Sequence, residues 1–168
     1  MSRRTGFLVT LLSVSLFAAC GANPERAALE AYFAAGQQVG DLVLEAGNKF
    51  ETLMNIQANP VAWTDAEKQE MTAITDAMTK AKEMAEAMQA PEVIADIHPL
   101  LVRSVSEMGS AMTGMSEMAA TPASMSEERL NGLMESIQNG DSLISEYMTK
   151  METTLQDKYP DLLEQMKE

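Results

Sequence analysis

Apolar residues recur every three or four positions along most of this chain, which is the spacing of one buried face of an α-helix. The pattern is clearest in the third of four such segments, where Ile94, Leu101, Met108 and Met115 lie seven residues apart. Good helix formers, above all Ala, Glu, Met and Lys, dominate between these apolar positions. The periodicity therefore predicts amphipathic helices near 24–58, 64–89, 91–120 and 124–158, followed by a short tail over 161–167.

Residue pairs that commonly begin helices stand at three of the predicted boundaries. They are an Asn before a proline, or a Ser or Thr three residues before a Glu. The pairs are Asn23 with Pro24, Thr64 with Glu67, and Ser124 with Glu127. Because short loops between long helices make neighbours antiparallel, the sequence predicts an all-α, antiparallel up-down-up-down four-helix bundle over 24–168.

Two features interrupt the helical pattern. Pro99 lacks the amide that would bond to the carbonyl of Ala95, and it disfavours helix at His98. Either the third helix kinks there, or it restarts with Asp96 as its cap, and we favour the kink. In the first helix Gly36 and Gly40 share one face, which indicates either close approach by another backbone or a tolerated local weakness.

The first 20 residues have the layout of a secretory signal peptide. A basic start at Arg3 and Arg4 precedes an apolar run, and small residues precede Cys20, the single cysteine of the chain. The run of about 15 residues is shorter than the roughly 20 that span a bilayer. We therefore predict a signal peptide over 1–19.

The end of this segment, Leu16-Phe17-Ala18-Ala19-Cys20, resembles the lipobox of bacterial lipoproteins. It departs from the usual pattern at Phe17, where most lipoboxes carry Leu, Val or Ile. The resemblance implies that Cys20 is acylated and becomes the new N-terminus, with 20–23 as a short tether. The alternative is an ordinary secretory peptide cleaved after Ala19, which would leave a free thiol.

The lipobox resemblance also implies a location and a class of partner. The chain would be anchored in the cell envelope through acyl chains on Cys20, and its contacts would be with the membrane and with other envelope proteins. Gly21, rather than Asp, follows the cysteine. In Gram-negative lipoproteins this resembles the class directed to the outer membrane and facing the periplasm.

The net charge of the chain excludes some classes of partner. Cleavage before Cys20 removes two of the 12 basic residues and none of the 25 acidic ones, so the net charge falls from −13 to −15. Such a chain is repelled by nucleic acid. With Cys20 acylated no thiol remains for disulfides, thiol catalysis or thiolate metal sites.

No enzyme signature is present, and we predict a non-enzymatic binding or scaffolding protein without a cofactor. The chain has 15 methionines, and Met108, Met112, Met115 and Met118 lie along one side of the third helix. Thioethers suit Cu(I), and this resembles the Met-rich segments of copper-handling envelope proteins. Packing in an apolar core explains the same stripe and is the interpretation we favour. His98 is a weaker candidate ligand for copper or haem.

Overall fold

A computed structural model describes residues 23–165, and over that range the chain is all-α with four long helices and one short one. The predicted signal peptide, Cys20 and the last residues of the predicted tail lie outside the described residues. Single 3-10 turns at Pro60–Ala62, Glu92–Ile94 and Pro122–Ser124 connect the long helices. The helices are α1 (Pro24–Ile56), α2 (Asp65–Ala87), α3 (His98–Ala120), α4 (Glu127–Lys158) and α5 (Pro160–Gln165).

The first two helices begin where their capping residues predict. The side chain of Asn23 accepts a hydrogen bond from the amide of Glu25, and a proline fills the first helical position. Thr64 and Glu67 form a complete capping box, in which each side chain bonds to the backbone of the other residue. These bonds satisfy amides that have no partner inside the helix.

The expected kink in the third helix is wrong. A 3-10 turn and a short bend occupy the residues before 98, and α3 begins at His98 with Pro99 in its first turn. An amide in the first turn has no partner in its own helix, so a proline costs nothing there. Ile97, not Asp96, is the capping residue, and no side chain caps this helix. The start of α4 also differs: Ser126 caps it, while Ser124 belongs to the preceding 3-10 turn.

The apolar stripes of the four long helices meet in one core. Consecutive long helices pack together: α1 on α2, α2 on α3, and α3 on α4. Fully buried side chains come from all four, including Leu29, Met71, Val105 and Leu155. None of the helices within 23–165 combines the length and the apolar character that crossing a membrane requires.

The backbones of α3 and α4 approach most closely at Gly140. Ser104 is completely buried, and its hydroxyl donates to the carbonyl oxygen of Gly140 over 2.8 Å. A Cβ at position 140 would lie 2.4 Å from Cγ of Met108 and 3.1 Å from the carbonyl oxygen of Ser104. Gly114 packs similarly against Leu133. The absence of a side chain at 140 therefore determines how near α4 lies to α3.

The two ends of the described chain are joined by polar contacts. Tyr159, just after α4, donates its hydroxyl to a carboxylate oxygen of Glu25 over 2.7 Å. The guanidinium of Arg26 forms an ion pair with Asp161 in α5. These contacts hold α5 against the first turns of α1, where Leu162 is buried.

We predict that Gly140→Ala lowers the free energy of unfolding by about 1–3 kcal/mol, because the new methyl group overpacks the contact with Ser104 and Met108. Gly132 lies on the same helix, and among the described residues nothing comes within 4 Å of a Cβ placed there. Gly132→Ala should therefore stabilise the chain by about 0.5–1 kcal/mol through helix propensity. Urea denaturation measures both variants, and equal stabilisation by both would contradict the close approach.

Candidate functional site

An open groove runs between α1 and α4. These two helices are not packed closely along their lengths, unlike the consecutive pairs. The resulting cavity has a volume of about 660 Å³ and extends from Glu30 to Leu44 along α1. Side chains of α3 line its floor, and Leu162 of α5 lines one end. We call this cavity the α1–α4 groove.

The groove is wide beside α1 because this wall contains small residues. Gly36 and Gly40 both line the groove between the larger Phe33 and Val43. A Cβ at Gly36 would contact only the terminal methyl of Met88, at 3.6 Å. At Gly40 none of the described residues would lie within 4 Å. From the sequence, the face formed by Gly36 and Gly40 could have allowed another helix backbone to come close. Within 23–165 no backbone does so, and the space beside these glycines is open.

The floor and the opposite wall are apolar as well. Leu101, Val105 and Met108 of α3 form the floor, and Ile144 and Tyr147 belong to the α4 wall. The three floor residues are at most 5% exposed, so most of the apolar surface that a partner can reach belongs to the rims of the walls.

Two large apolar side chains stand at the lips of the groove. Leu44 on α1 is 65% exposed and Met148 on α4 is 51% exposed, and both line the cavity. Only Ile56 is similarly exposed among the large apolar residues of 23–165. Exposed apolar side chains beside a cavity are typical of a binding site.

A chain of polar groups connects α1, α3 and α4 beneath this surface. The hydroxyl of Tyr147 donates to the hydroxyl of Tyr32 over 3.2 Å. The Tyr32 hydroxyl lies 3.0 Å from Nδ1 of His98, and the two rings meet edge to face. When His98 is neutral with its proton on Nε2, the bonds run in one direction from Tyr147 through Tyr32 to Nδ1.

Burial favours the uncharged form of all three of these groups. It raises the pKa of Tyr32 and of Tyr147, and it lowers the pKa of His98. Protonated phenols and a neutral imidazole are compatible with the observed bonds. The chain acts as a fixed set of hydrogen bonds between three helices. His98 is connected to Tyr147 through Tyr32.

The methionines predicted as copper ligands all belong to the buried face of α3. Met115 and Met118 are completely buried, and Met108 and Met112 are at most 5% exposed. Only Met108 among them lines the groove. Burial of this kind is what core packing produces, and the copper site stays a prediction. Within 23–165 no three His, Cys, Asp or Glu side chains come together as a metal site.

The stretches of α1 and α4 that contain the walls carry acidic residues and no basic ones, and Glu30 is the charged residue among those that line the cavity. No basic residue lies between Arg26 and Lys49 on α1 or between Arg129 and Lys150 on α4. The acidic residues in these two intervals are Glu30, Asp41 and Glu45 on α1, and Glu135, Asp141 and Glu146 on α4.

Sequence reasoning did not find the groove. Gly36 and Gly40 were the available signal, since small residues on one helical face leave space beside it. The signal was ambiguous, because the same space is filled by a neighbouring backbone in a closed bundle.

We predict that acidification below about pH 6.5 weakens the folded state through His98. The folded-state pKa is lowered relative to the unfolded value of about 6.5, so the unfolded chain binds the proton more readily. This stabilisation is present above the unfolded pKa and is lost as the pH falls toward the folded one. His98→Gln should show a smaller loss between about pH 7.5 and about pH 5.5 in urea denaturation. An NMR titration giving His98 a pKa of 6.5 or higher would contradict the prediction.

Comparison of the chain with models of known protein families, with curated proteins and with solved structures finds no match in any of the three. The function proposed for this chain therefore follows from its own residues, chiefly those of the α1–α4 groove.

Proposed function

We propose that this chain is a lipid-anchored, non-enzymatic protein of the cell envelope that binds another envelope protein in the α1–α4 groove. The observation that carries the proposal is the groove itself, about 660 Å³ of mainly apolar space open along two helices. The exposed side chains of Leu44 and Met148 at its lips add contact surface. A groove between helices is a common docking surface for the apolar face of a partner helix.

The proposal includes an up-down-up-down order for the long helices. Support comes from contacts between paired helices, in which the residue number rises along one helix as it falls along the other. Between α3 and α4 they join 104 to 140 and 114 to 133, and between α1 and α2 they join 36 to 88 and 49 to 70. Between α1 and α4 they join 25 to 159 and 32 to 147.

The anchor would place the groove close to the membrane. Only Gly21 and Ala22 separate Cys20 from the cap of α1 at Asn23. The groove begins at Glu30, roughly 9 Å along the helix from Pro24 at about 1.5 Å per residue. An acylated chain of this kind would meet the membrane-proximal parts of other envelope proteins, on the outer membrane facing the periplasm if the cell is Gram-negative.

We expect acylation at Cys20 to be the source of membrane attachment. The full chain should incorporate labelled palmitate and sediment with membranes, and Cys20→Ser should do neither. Phe17→Leu brings the segment closer to the usual lipobox and serves as the matched control, with acylation retained or increased. Palmitate incorporation that persists in Cys20→Ser would overturn the assignment of the anchor.

We expect Gly40→Leu to block the groove without harming the fold. The wild-type chain should bind a neutral amphipathic helix of Leu and Gln, measured by fluorescence anisotropy. Gly40→Leu should weaken this binding at least about tenfold, because the new side chain fills space that the peptide requires. It should not destabilise the chain, because leucine is a better helix former than glycine and the site is open.

Gly132→Leu makes the same substitution on α4, outside the residues that line the groove. It should leave peptide binding unchanged. Equal peptide affinity for Gly40→Leu and Gly132→Leu would show that the groove does not bind the helix, and the proposed function would then be rejected.

A further inference from the structure

We infer that the segment bound in the α1–α4 groove is a cationic amphipathic helix of about four turns. The inference rests on the proposed function, since it takes the groove as the binding site, and it adds the charge and form of the partner. Three observations carry it: the charge of both walls, the carboxylates left without partners at the lips, and the length of the apolar surface.

The walls would attract a positively charged partner where their carboxylates are unpaired. Both contain several acidic residues and no basic ones over the stretch that borders the groove. Glu30, Glu45 and Glu146 are already paired with basic residues at the ends of these stretches, at 2.7–2.9 Å. Such pairs leave little free charge where they form, so the remaining carboxylates matter most.

Asp41 and Asp141 are the carboxylates placed to meet a ligand. Neither side chain forms an ion pair within the described residues, and both residues are exposed. Asp41 lies three residues before Leu44, and Asp141 lies three before Ile144 and seven before Met148. Residues at these spacings share one side of a helix. Asp41 and Asp141 do not line the cavity themselves, but each lies on the same side of its helix as an apolar residue that does.

The length of the groove matches a short helix. From Glu30 to Leu44 the α1 wall extends about 21 Å at 1.5 Å per residue, which corresponds to about 14 residues of a bound helix. Apolar residues at every third or fourth position of that helix would enter between the lips. Lys or Arg residues flanking this stripe would lie near Asp41 and Asp141. The same carboxylates disfavour an anionic occupant such as a fatty acid.

The test compares peptides that differ only in charge. Three amphipathic helices of about 18 residues share one leucine stripe and carry Lys, Gln or Glu on the polar face. A fourth has the Lys and Leu residues in scrambled order. Peptide binding is measured by fluorescence anisotropy with the mature protein purified from cells that express the full chain. If the protein is acylated, it is held in phosphatidylcholine nanodiscs, and if it is not, it is measured in buffer. Empty nanodiscs give the background.

We expect the Lys peptide to bind at least about tenfold more tightly than the Gln peptide at low salt. The Glu peptide and the scrambled peptide should bind most weakly. Added salt should reduce the advantage of the Lys peptide, because it screens exposed charges. Gly40→Leu should weaken the binding of the Lys peptide as well.

Charge reversal at the lips locates the effect. Asp41→Lys combined with Asp141→Lys should remove the preference for the Lys peptide and improve binding of the Glu peptide. Asp76→Lys combined with Glu83→Lys reverses two exposed charges on α2, outside the groove, and is the matched control. It should change all affinities by less than the variant at Asp41 and Asp141 does.

The possible failures are distinguishable. If the Gln peptide binds as tightly as the Lys peptide and Gly40→Leu blocks both, the groove binds helices and the cationic partner is overturned. If no peptide responds to Gly40→Leu, the proposed function fails together with the inference. Displacement of the Lys peptide by equimolar palmitate would identify the groove as a lipid site and overturn the inference too.

Discussion

The contact between α3 and α4 at Gly140 is the constraint on which the groove depends. With no side chain at this position, the backbone of α4 lies against Ser104 and Met108 of α3. The buried hydroxyl of Ser104 donates to the carbonyl oxygen of Gly140. α4 packs closely on α3, and α1 packs on α2. The pair α1 and α4 is therefore the one left open.

Polar contacts then hold the opening at a fixed width. The side chains of Tyr32 and Tyr147 meet end to end through their hydroxyls, so two phenol rings separate the helices there. Collapse of α1 onto α4 would break this pair and the bond to His98, and each unpaired buried group would cost about 1–3 kcal/mol. At the base, Tyr159 and α5 join the first turn of α1. The groove is thus supported from below and closed at one end, without being filled.

The sequence reveals much of the helical structure and little of the groove. Periodicity identifies the inward face of each helix, and the caps at Asn23 and Thr64 identify two starts correctly. The start at His98 was missed because a proline in the first turn and a proline at a kink look alike locally. Only the preceding Glu92–Ile94 turn, which belongs to the tertiary fold, distinguishes them. The groove follows from contacts between distant segments, which periodicity does not specify.

Among the described residues, carboxylates without ion-pair partners and apolar side chains exposed to water lie in the same part of the molecule. The acidic residues of the chain include those of two walls that face each other across the groove without intervening basic residues. Their mutual repulsion is modest because water and salt screen it, yet it opposes closure. Leu44 and Met148 expose apolar area to water. Burying this area against a partner would stabilise the complex by about 25 cal/mol per Å². An apolar ligand would cover the exposed apolar area but leave the carboxylates unpaired, and a cation would pair with the carboxylates but leave the apolar area exposed. A cationic amphipathic helix does both with one contact surface.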